Sequence, residues 1–318
     1  MARYLVTGGA GFIGSHVARA LAAAGHEVVV LDNLSTGRRE NLDGAAGRLE
    51  LVVGSITDLD TVERCCRGVD CVFHQAALPS VPRSVADPLA SDEHNVGGTL
   101  RVFWGAHRQN VRRVVFAASS SVYGNTAELP KHEGMPTRPL SPYAVNKVVG
   151  ELYGAVFTSL YGLGTVGLRY FNVFGPRQDP QSQYAAVVPR FITSFLEGKA
   201  PVIHGDGTQS RDFTYVDNVV EANLAACSAE ATACGRSYNV ALGGRISVTD
   251  LCLKIRDLIG SDVEPRYDAA RAGDVQHSQA DVRLAREFLG YEGRVDLEEG
   301  LRRTVAWYRE QAALLGKA

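Results

Sequence analysis

An α/β fold, with a doubly wound parallel sheet and a smaller C-terminal substrate-binding lobe, is what this sequence predicts. Three observations carry that expectation. Short apolar runs alternate with helical stretches through the first half of the chain. These runs are apolar almost without interruption, as strands covered on both faces must be. After Tyr170 the alternation stops and loops rich in Gly, Pro and Gln take over.

The strands read in order as "RYLVT", "HEVVVL", "LELVVG", "DCVFHQ", "RRVVFAAS" and "GTVGLRY", all rich in Val, Leu or other strand formers. Helical patterns lie near residues 12–24, 58–67, 88–109 and 142–161. Beyond Tyr170 come the loops "FGPRQDPQSQY" and "GDGTQSRD", with helices expected near 187–197, 216–229, 247–259 and 296–314. Residues 1–170 are therefore expected to form a nucleotide-binding domain and 171–318 a second domain. A segment near 205–236, containing "FTYVDNVVEANLAAC", is expected to pack back on the first. No repeat or low-complexity tract interrupts this order.

The chain has 318 residues, 45% of them hydrophobic, with a formal net charge of −2. That is ample for a two-lobed enzyme. It gives no reason to expect nucleic acid or an anionic membrane surface as partner. No apolar run approaches the roughly 20 residues of a membrane span, and "MARYLVTGGAG" enters a strand without a signal-like core. The six cysteines show no C-x-x-C and no ligand spacing with histidine, so free thiols in a reducing cytoplasm and no metal are expected.

"VTGGAGFIGSHV" puts Gly8, Gly11 and Gly14 at a strand–helix junction. Glycine permits the tight turn and lets the backbone approach a ligand, while the following helix offers free N–H groups to a pyrophosphate. Three glycines alone fit a packing turn equally well. Here they follow the first strand, and Asp32 closes the second strand 18 residues beyond Gly14. This is the Rossmann arrangement. A carboxylate at Asp32 accepts bonds from ribose hydroxyls and repels a 2′-phosphate, favouring NAD over NADP. Arg38 and Arg39 follow; they could hold a phosphate or simply face solvent.

"SPYAVNK" holds Tyr143 and Lys147 at i and i+4, on one helix face. A tyrosine acting as base near pH 7 needs its pKa lowered from about 10, roughly 4 kcal/mol. A cation about 4 Å away at an effective dielectric near 20 supplies about that much. The pair follows the serine run "AASSSVYG", with Ser119, Ser120 and Ser121 at the end of the fifth strand, where ligands sit in such sheets. Turn chemistry accounts for at least one of these serines.

Through "VTGGAGFIG", "HQAALPSVPRS", "HNVGGTLRV", "SSSVYG", "SPYAVNK", "LRYFNVFGPRQDP", "GDGTQSRDFTYVDN" and "RAGDVQHSQAD", the chain resembles the extended short-chain dehydrogenase/reductases, and among them the nucleotide-sugar 4-epimerases. The likeness implies catalysis by Ser119, Tyr143 and Lys147. It implies NAD binding by Gly8, Gly11, Phe12, Ile13 and Gly14, by Asp32 with Asn33, Ser35, Thr36 and Gly37, and by Gln75, Ala76, Ala77, Asn95, Tyr143, Lys147 and Tyr170. Where such epimerases carry Gly-Asp after the third strand, this chain has "VVGSITD", so Ser55 and Ile56 take that place and Asp58 stands nearby.

For the substrate, a UDP-sugar, the likeness implies Ser80, the three serines, Asn172, Ala186 and Val187. Arg211 and Arg271 fall on the diphosphate, Asp274 on a ribose hydroxyl and Ser278 beside the sugar. Guanidinium forks suit phosphate oxygens. Similar dehydratases and decarboxylases carry an acidic residue before "VYG", and GDP-sugar epimerases a cysteine there; this chain has neither. A small residue at Ser278 leaves room for a 2-acetamido group, which implies UDP-GlcNAc and UDP-GalNAc beside UDP-glucose and UDP-galactose. UDP-glucose and UDP-glucuronate 4-epimerases stay open as alternatives, as does a non-catalytic NAD-sensing protein. The helices near 88–109 and 142–161 resemble those that pair in a four-helix homodimer contact.

Overall fold

The computed structural model describes residues 1–180, 186–270 and 276–314. Strands β1 (Arg3–Thr7), β2 (Glu27–Asp32), β3 (Arg48–Val53), β4 (Cys71–His74), β5 (Arg113–Ser119), β6 (Gly164–Tyr170) and β7 (Arg236–Val240) form one sheet. Its order is β7-β6-β5-β4-β1-β2-β3 and every pairing is parallel. The first six strands arise from the six apolar runs. The seventh, "RSYNV", is one that hydropathy does not reveal. Strand order reverses at β1, which opens a crevice at the carboxyl ends of β1 and its neighbours.

Helices α1 (Phe12–Ala23), α2 (Leu59–Cys66), α3 (Val81–Ala86), α4 (Pro88–Asp92), α5 (Gly98–Arg108), α6 (Pro142–Tyr161), α7 (Val187–Leu196), α8 (Val216–Ser228), α9 (Val248–Ile259), α10 (Arg283–Leu289) and α11 (Leu297–Leu314) complete the chain. The helix expected near 88–109 is continuous but changes pitch, with a π-turn over Glu93–Gly97 between α4 and α5. Such turns cluster at functional sites.

Alternation along the strands sends side chains to opposite faces. Val6, Val28 and Val30 join one buried cluster with α1, α8 and α10. Leu5, Val29 and Leu31 join another with α2 and α5. A third cluster, with Phe191, Leu251 and Leu301, holds α7, α9 and α11 together above the carboxyl edge. Although α8 follows second-lobe residues in sequence, Val219, Ala222 and Ala226 are buried on the sheet. Arg113 fixes its end: one guanidinium nitrogen donates to the carbonyls of Ala226, Cys227 and Ala229. That satisfies acceptors a helix terminus leaves unpaired. Among the described residues no helix is long and apolar enough to cross a membrane, and no His/Cys/Asp/Glu group is placed to hold a metal ion.

Candidate active site

A cavity of about 880 Å³ opens at the carboxyl edge of the sheet, between the two lobes. Its floor begins with the glycine turn. A Cβ on Gly8 would lie 2.6 Å from the Ala76 nitrogen, and one on Gly14 2.2 Å from the Gly8 carbonyl oxygen, so neither position admits a side chain. The N-terminus of α1 has no side-chain cap. Its first N–H groups, from Phe12 onward, remain available to a ligand anion. Gly8, Gly11, Phe12, Ile13 and Gly14 all line the cavity.

Asp32 stands at the end of β2, its carboxylate accepting from the Ala10 N–H at 2.9 Å and the Leu34 N–H at 2.8 Å. Each oxygen keeps a further lone pair, and Asp32 lines the cavity. A side chain on Gly37 would meet this carboxylate at 2.8 Å, so glycine there keeps the approach open. Asn33, Ser35, Thr36 and Gly37 line the same end, with Ile56 across from them. Ser55 does not reach it; its hydroxyl bonds Thr57 at 2.8 Å. Asp58 caps α2 by accepting from the Asp60 N–H.

Gln75, Ala76 and Ala77 follow β4 into the cavity wall. A buried relay holds them. The Thr99 hydroxyl donates to the Asn95 carbonyl at 2.6 Å and accepts from His74 Nε2. His74 Nδ1 then accepts from the Thr7 hydroxyl at 2.7 Å, and that oxygen accepts the Ala76 N–H. Burial pushes the His74 imidazole down to about 3, so it is neutral, as the relay requires. Asn95 does not line the cavity. It clamps Leu78, accepting from its N–H at 2.8 Å and donating to its carbonyl at 3.1 Å. Tyr170 lines the cavity too and donates to Gln75 at 3.2 Å, while Asn223 of α8 donates to Tyr170 at 2.9 Å and accepts from Gln75 at 3.0 Å.

Ser119, Tyr143 and Lys147 all line the cavity. Ser141 caps α6 and Pro142 occupies its first turn, which starts the helix just before Tyr143. The Ser119 hydroxyl accepts from the Ser121 N–H at 3.2 Å and the Ser121 hydroxyl at 2.9 Å, leaving its own proton free to be donated. Burial raises the Tyr143 pKa above 10 and the Ser119 bond offsets part of that. Lys147 is pushed down to about 8 by burial, with Glu151 pulling the other way. Ser120 and Ser121 are not part of the lining; they form the 3₁₀ turn Ser120–Tyr123 that Ser119 caps.

On the substrate side, Ser80, Asn172 and Ala186 line the cavity, whereas Val187, Arg211 and Ser278 do not. Ser278 is buried, its N–H bonded to the Ser210 carbonyl at 3.0 Å. Arg271 and Asp274 lie outside the described residues. Sequence reading missed several contributors. Arg38 and Asp179 face each other across the mouth in an ion pair of 2.9 Å, and Arg177 and Trp307 add to the rim. Four of the five described non-glycine residues with positive φ also line this cavity: Leu34, Ser80, Asn172 and Arg177. Backbone strain of this kind collects where function over-determines geometry.

The glycine turn, the Asp32 carboxylate and the side chains of Ser119, Tyr143 and Lys147 thus share one cavity. Residues 4–241 match the model of the NAD dependent epimerase/dehydratase family. A UDP-glucose 4-epimerase of Mycolicibacterium smegmatis is 41% identical over 98% of this chain and 99% of its own. The solved UDP-N-acetylglucosamine 4-epimerase from Methanobrevibacter ruminantium, in complex with UDP-N-acetylmuramic acid, superposes with a TM-score of 0.93 at 42% identity, covering 98% of this chain and 99% of that one. A Thermus thermophilus UDP-glucose 4-epimerase in complex with NAD gives a TM-score of 0.87 at 36% identity, over 96% and 99% of the two chains.

Proposed function

The chain belongs to the NAD-dependent epimerase/dehydratase family, and from that premise we propose that it is an NAD-dependent UDP-sugar 4-epimerase acting on UDP-GlcNAc and UDP-GalNAc as well as UDP-glucose and UDP-galactose. The observation that carries the reading is the convergence of Ser119, Tyr143 and Lys147 on the cavity that also holds Asp32 and the glycine turn. The residues fit NAD: Asp32 offers acceptors to ribose hydroxyls, and the uncapped start of α1 offers donors to a pyrophosphate. NAD supplies hydride acceptance from C4 and its return to the opposite face.

The protein residues handle the proton and the positioning. Tyr143 accepts the proton of the sugar 4-hydroxyl, Ser119 donates to the reacting oxygen, and Lys147 stabilises the phenolate. After the 4-keto sugar has turned about its diphosphate link, Tyr143 returns the proton. A firmly held nucleotide and a loosely held hexose meet both requirements, because each face must reach near-attack distance in turn. Arg211 and Arg271 are proposed to grip the diphosphate and Asp274 the uridine ribose. The acetamido preference rests on the small Ser278, while the M. smegmatis relative favours the plain hexoses as a second reading.

A homodimer, cytoplasmic, completes the proposal. Supporting it, α6 exposes Val145, Leu152, Val156 and Leu160 along one stripe, beside an apolar groove lined by Leu100, Trp104 and Tyr161. Incubation of the protein with UDP-GlcNAc, UDP-glucose and UDP-glucuronate, with the C4 epimers resolved by NMR, tests the reading. C4 inversion of the first two with no net consumption of NAD is the expected result; no inversion of any of them refutes it.

A further inference from the structure

Lys131 is only 2% exposed, yet among the described residues its ammonium bonds just the Gly124 carbonyl, at 3.0 Å. The neighbouring carboxylates are committed elsewhere. Glu133 accepts from the Asn239 N–H at 2.7 Å. Asp281 pairs with Arg283, and Asp212 accepts from the N–H groups of Leu242, Gly243 and Ala280. Burial lowers the Lys131 pKa, and the like charge of Arg211 adds to that. An interior ammonium without a carboxylate is costly, so its place in the fold calls for a role.

Its connections suggest one. Gly124 closes the 3₁₀ turn that begins at Ser119, and its N–H bonds the Ser121 carbonyl at 3.2 Å. The Lys131 backbone bridges to the other lobe: its N–H donates to the Gln279 carbonyl and its carbonyl accepts from the Asp281 N–H, both at 2.8 Å. The next links are Ala280 to Asp212 at 3.1 Å and Ser278 to Ser210 at 3.0 Å. A second route runs parallel. Asn239 donates to the Lys131 carbonyl at 2.9 Å and accepts from the Tyr123 hydroxyl at 2.7 Å. Tyr123 in turn accepts from Arg169, which is held by Glu151 of α6 at 2.8 and 2.6 Å.

We propose that Lys131 is a positioning residue: it ties the Ser119–Gly124 turn to the 278–281 segment, so that a nucleotide diphosphate seated against Arg211 fixes the place of the Ser119 hydroxyl. The inference rests on the UDP-sugar reading above. The physical coupling runs through the backbone. Arg211 stands between Ser210, whose carbonyl accepts from the Ser278 N–H, and Asp212, whose carboxylate accepts from the Ala280 N–H, so a diphosphate that orders Arg211 orders the segment to which the Lys131 backbone is bonded. The Lys131 ammonium passes that order to the Gly124 carbonyl, through a charge-assisted bond about twice as strong as a neutral one.

Hydrogen exchange with UDP as the probe, on protein supplied with NAD, reads the coupling without turnover. In the wild type, UDP is expected to slow exchange several-fold both in peptides covering 205–215 and in those covering 119–124. In Lys131→Met the first effect persists and the second disappears, whereas Lys131→Arg keeps both. Turnover of Lys131→Met falls at least about tenfold with KM within about twofold, a split that general loosening of the fold does not produce. Protection of 119–124 by UDP that survives in Lys131→Met overturns the proposal. Should that variant not fold, absence of UDP protection over 119–124 in the wild type overturns it equally. If UDP protects neither segment, the UDP-sugar reading itself fails. The ligand-free comparison then decides for Lys131: unchanged exchange at 119–124 in Lys131→Met refutes the clamp.

Discussion

The ammonium of Lys147 lies 5.6 Å from the centroid of the Tyr143 ring and donates to the Ala117 carbonyl at 2.7 Å. One turn of α6 brings the two side chains together, but the cation is held by β5 rather than by the phenol oxygen. Burial dominates both acidities: Tyr143 is raised and Lys147 lowered. The phenol is therefore protonated in the ligand-free protein. In the proposed mechanism, the charge that draws its pKa toward neutrality would come from Lys147 and an oxidised nicotinamide acting together.

Tyr143→Phe removes the proton acceptor but no anchoring group. Turnover of UDP-sugars is expected to fall by several orders of magnitude, with UDP affinity and bound NAD unchanged. A residual rate above about a tenth of wild type, less than about 1.4 kcal/mol of lost transition-state stabilisation, assigns the base elsewhere.

The Lys147 ammonium, at about 8, is charged below that pH and neutral above it. The profile of kcat/KM, which reports free-enzyme groups, is expected to fall as pH rises through about 8. In Lys147→Arg the guanidinium stays charged throughout, so the alkaline limb should vanish even though the absolute rate drops. An unchanged limb in that variant removes Lys147 from the profile.

Arg38 and Asp179 join segments 141 residues apart across the cavity mouth, and both are partly exposed. Such pairs contribute about 0.2–1 kcal/mol. Arg38→Ala is therefore expected to speed NAD release by up to about fivefold at low salt, with the difference shrinking at high salt. Stopped-flow release into excess scavenger measures it. Equal rates at every ionic strength mean that the pair does not retain the cofactor.

Ser278→Tyr tests the acetamido preference. Overfilling a packed site costs about 1–3 kcal/mol, roughly fivefold to 150-fold. The loss should fall on kcat/KM for UDP-GlcNAc and UDP-GalNAc and spare UDP-glucose and UDP-galactose. Parallel losses on both sugar classes leave the preference without its support.

Leu152 and Leu160 are 62% and 73% exposed on the outer face of α6. Leu152→Glu with Leu160→Glu should leave the fold intact and give a monomer by light scattering at micromolar concentration, where the wild type gives a dimer. A wild-type monomer under these conditions ends the dimer proposal.

What could be read from the sequence was local. Six strands were visible because each is a dense apolar run, and the glycine turn, Asp32 and the Tyr143–Lys147 spacing each lie within one short segment. β7 was not visible: in "RSYNV" polar residues alternate with apolar ones, and Asn239 is buried for its bonds to Tyr123 and Lys131 rather than for hydropathy. The relay through His74 and the triangle of Gln75, Tyr170 and Asn223 join residues far apart in the chain. No periodicity reports such pairings. Arg38 could be read as a phosphate ligand or a solvated charge, and it turned out to face Asp179.

The late position of β7 also bears on how the protein is made. The open side of β6 receives its partner only when residue 236 has been synthesised, long after Tyr170 ends β6. Until then the nascent chain carries an unpaired strand edge and an uncovered apolar face where α8 will lie, both of which invite association with other chains. Cutting the gene after residue 170 would make that transient state permanent. The proposed catalytic residues Ser119, Tyr143 and Lys147 would all be present in such a fragment, on a sheet lacking the strand and helix that finish it.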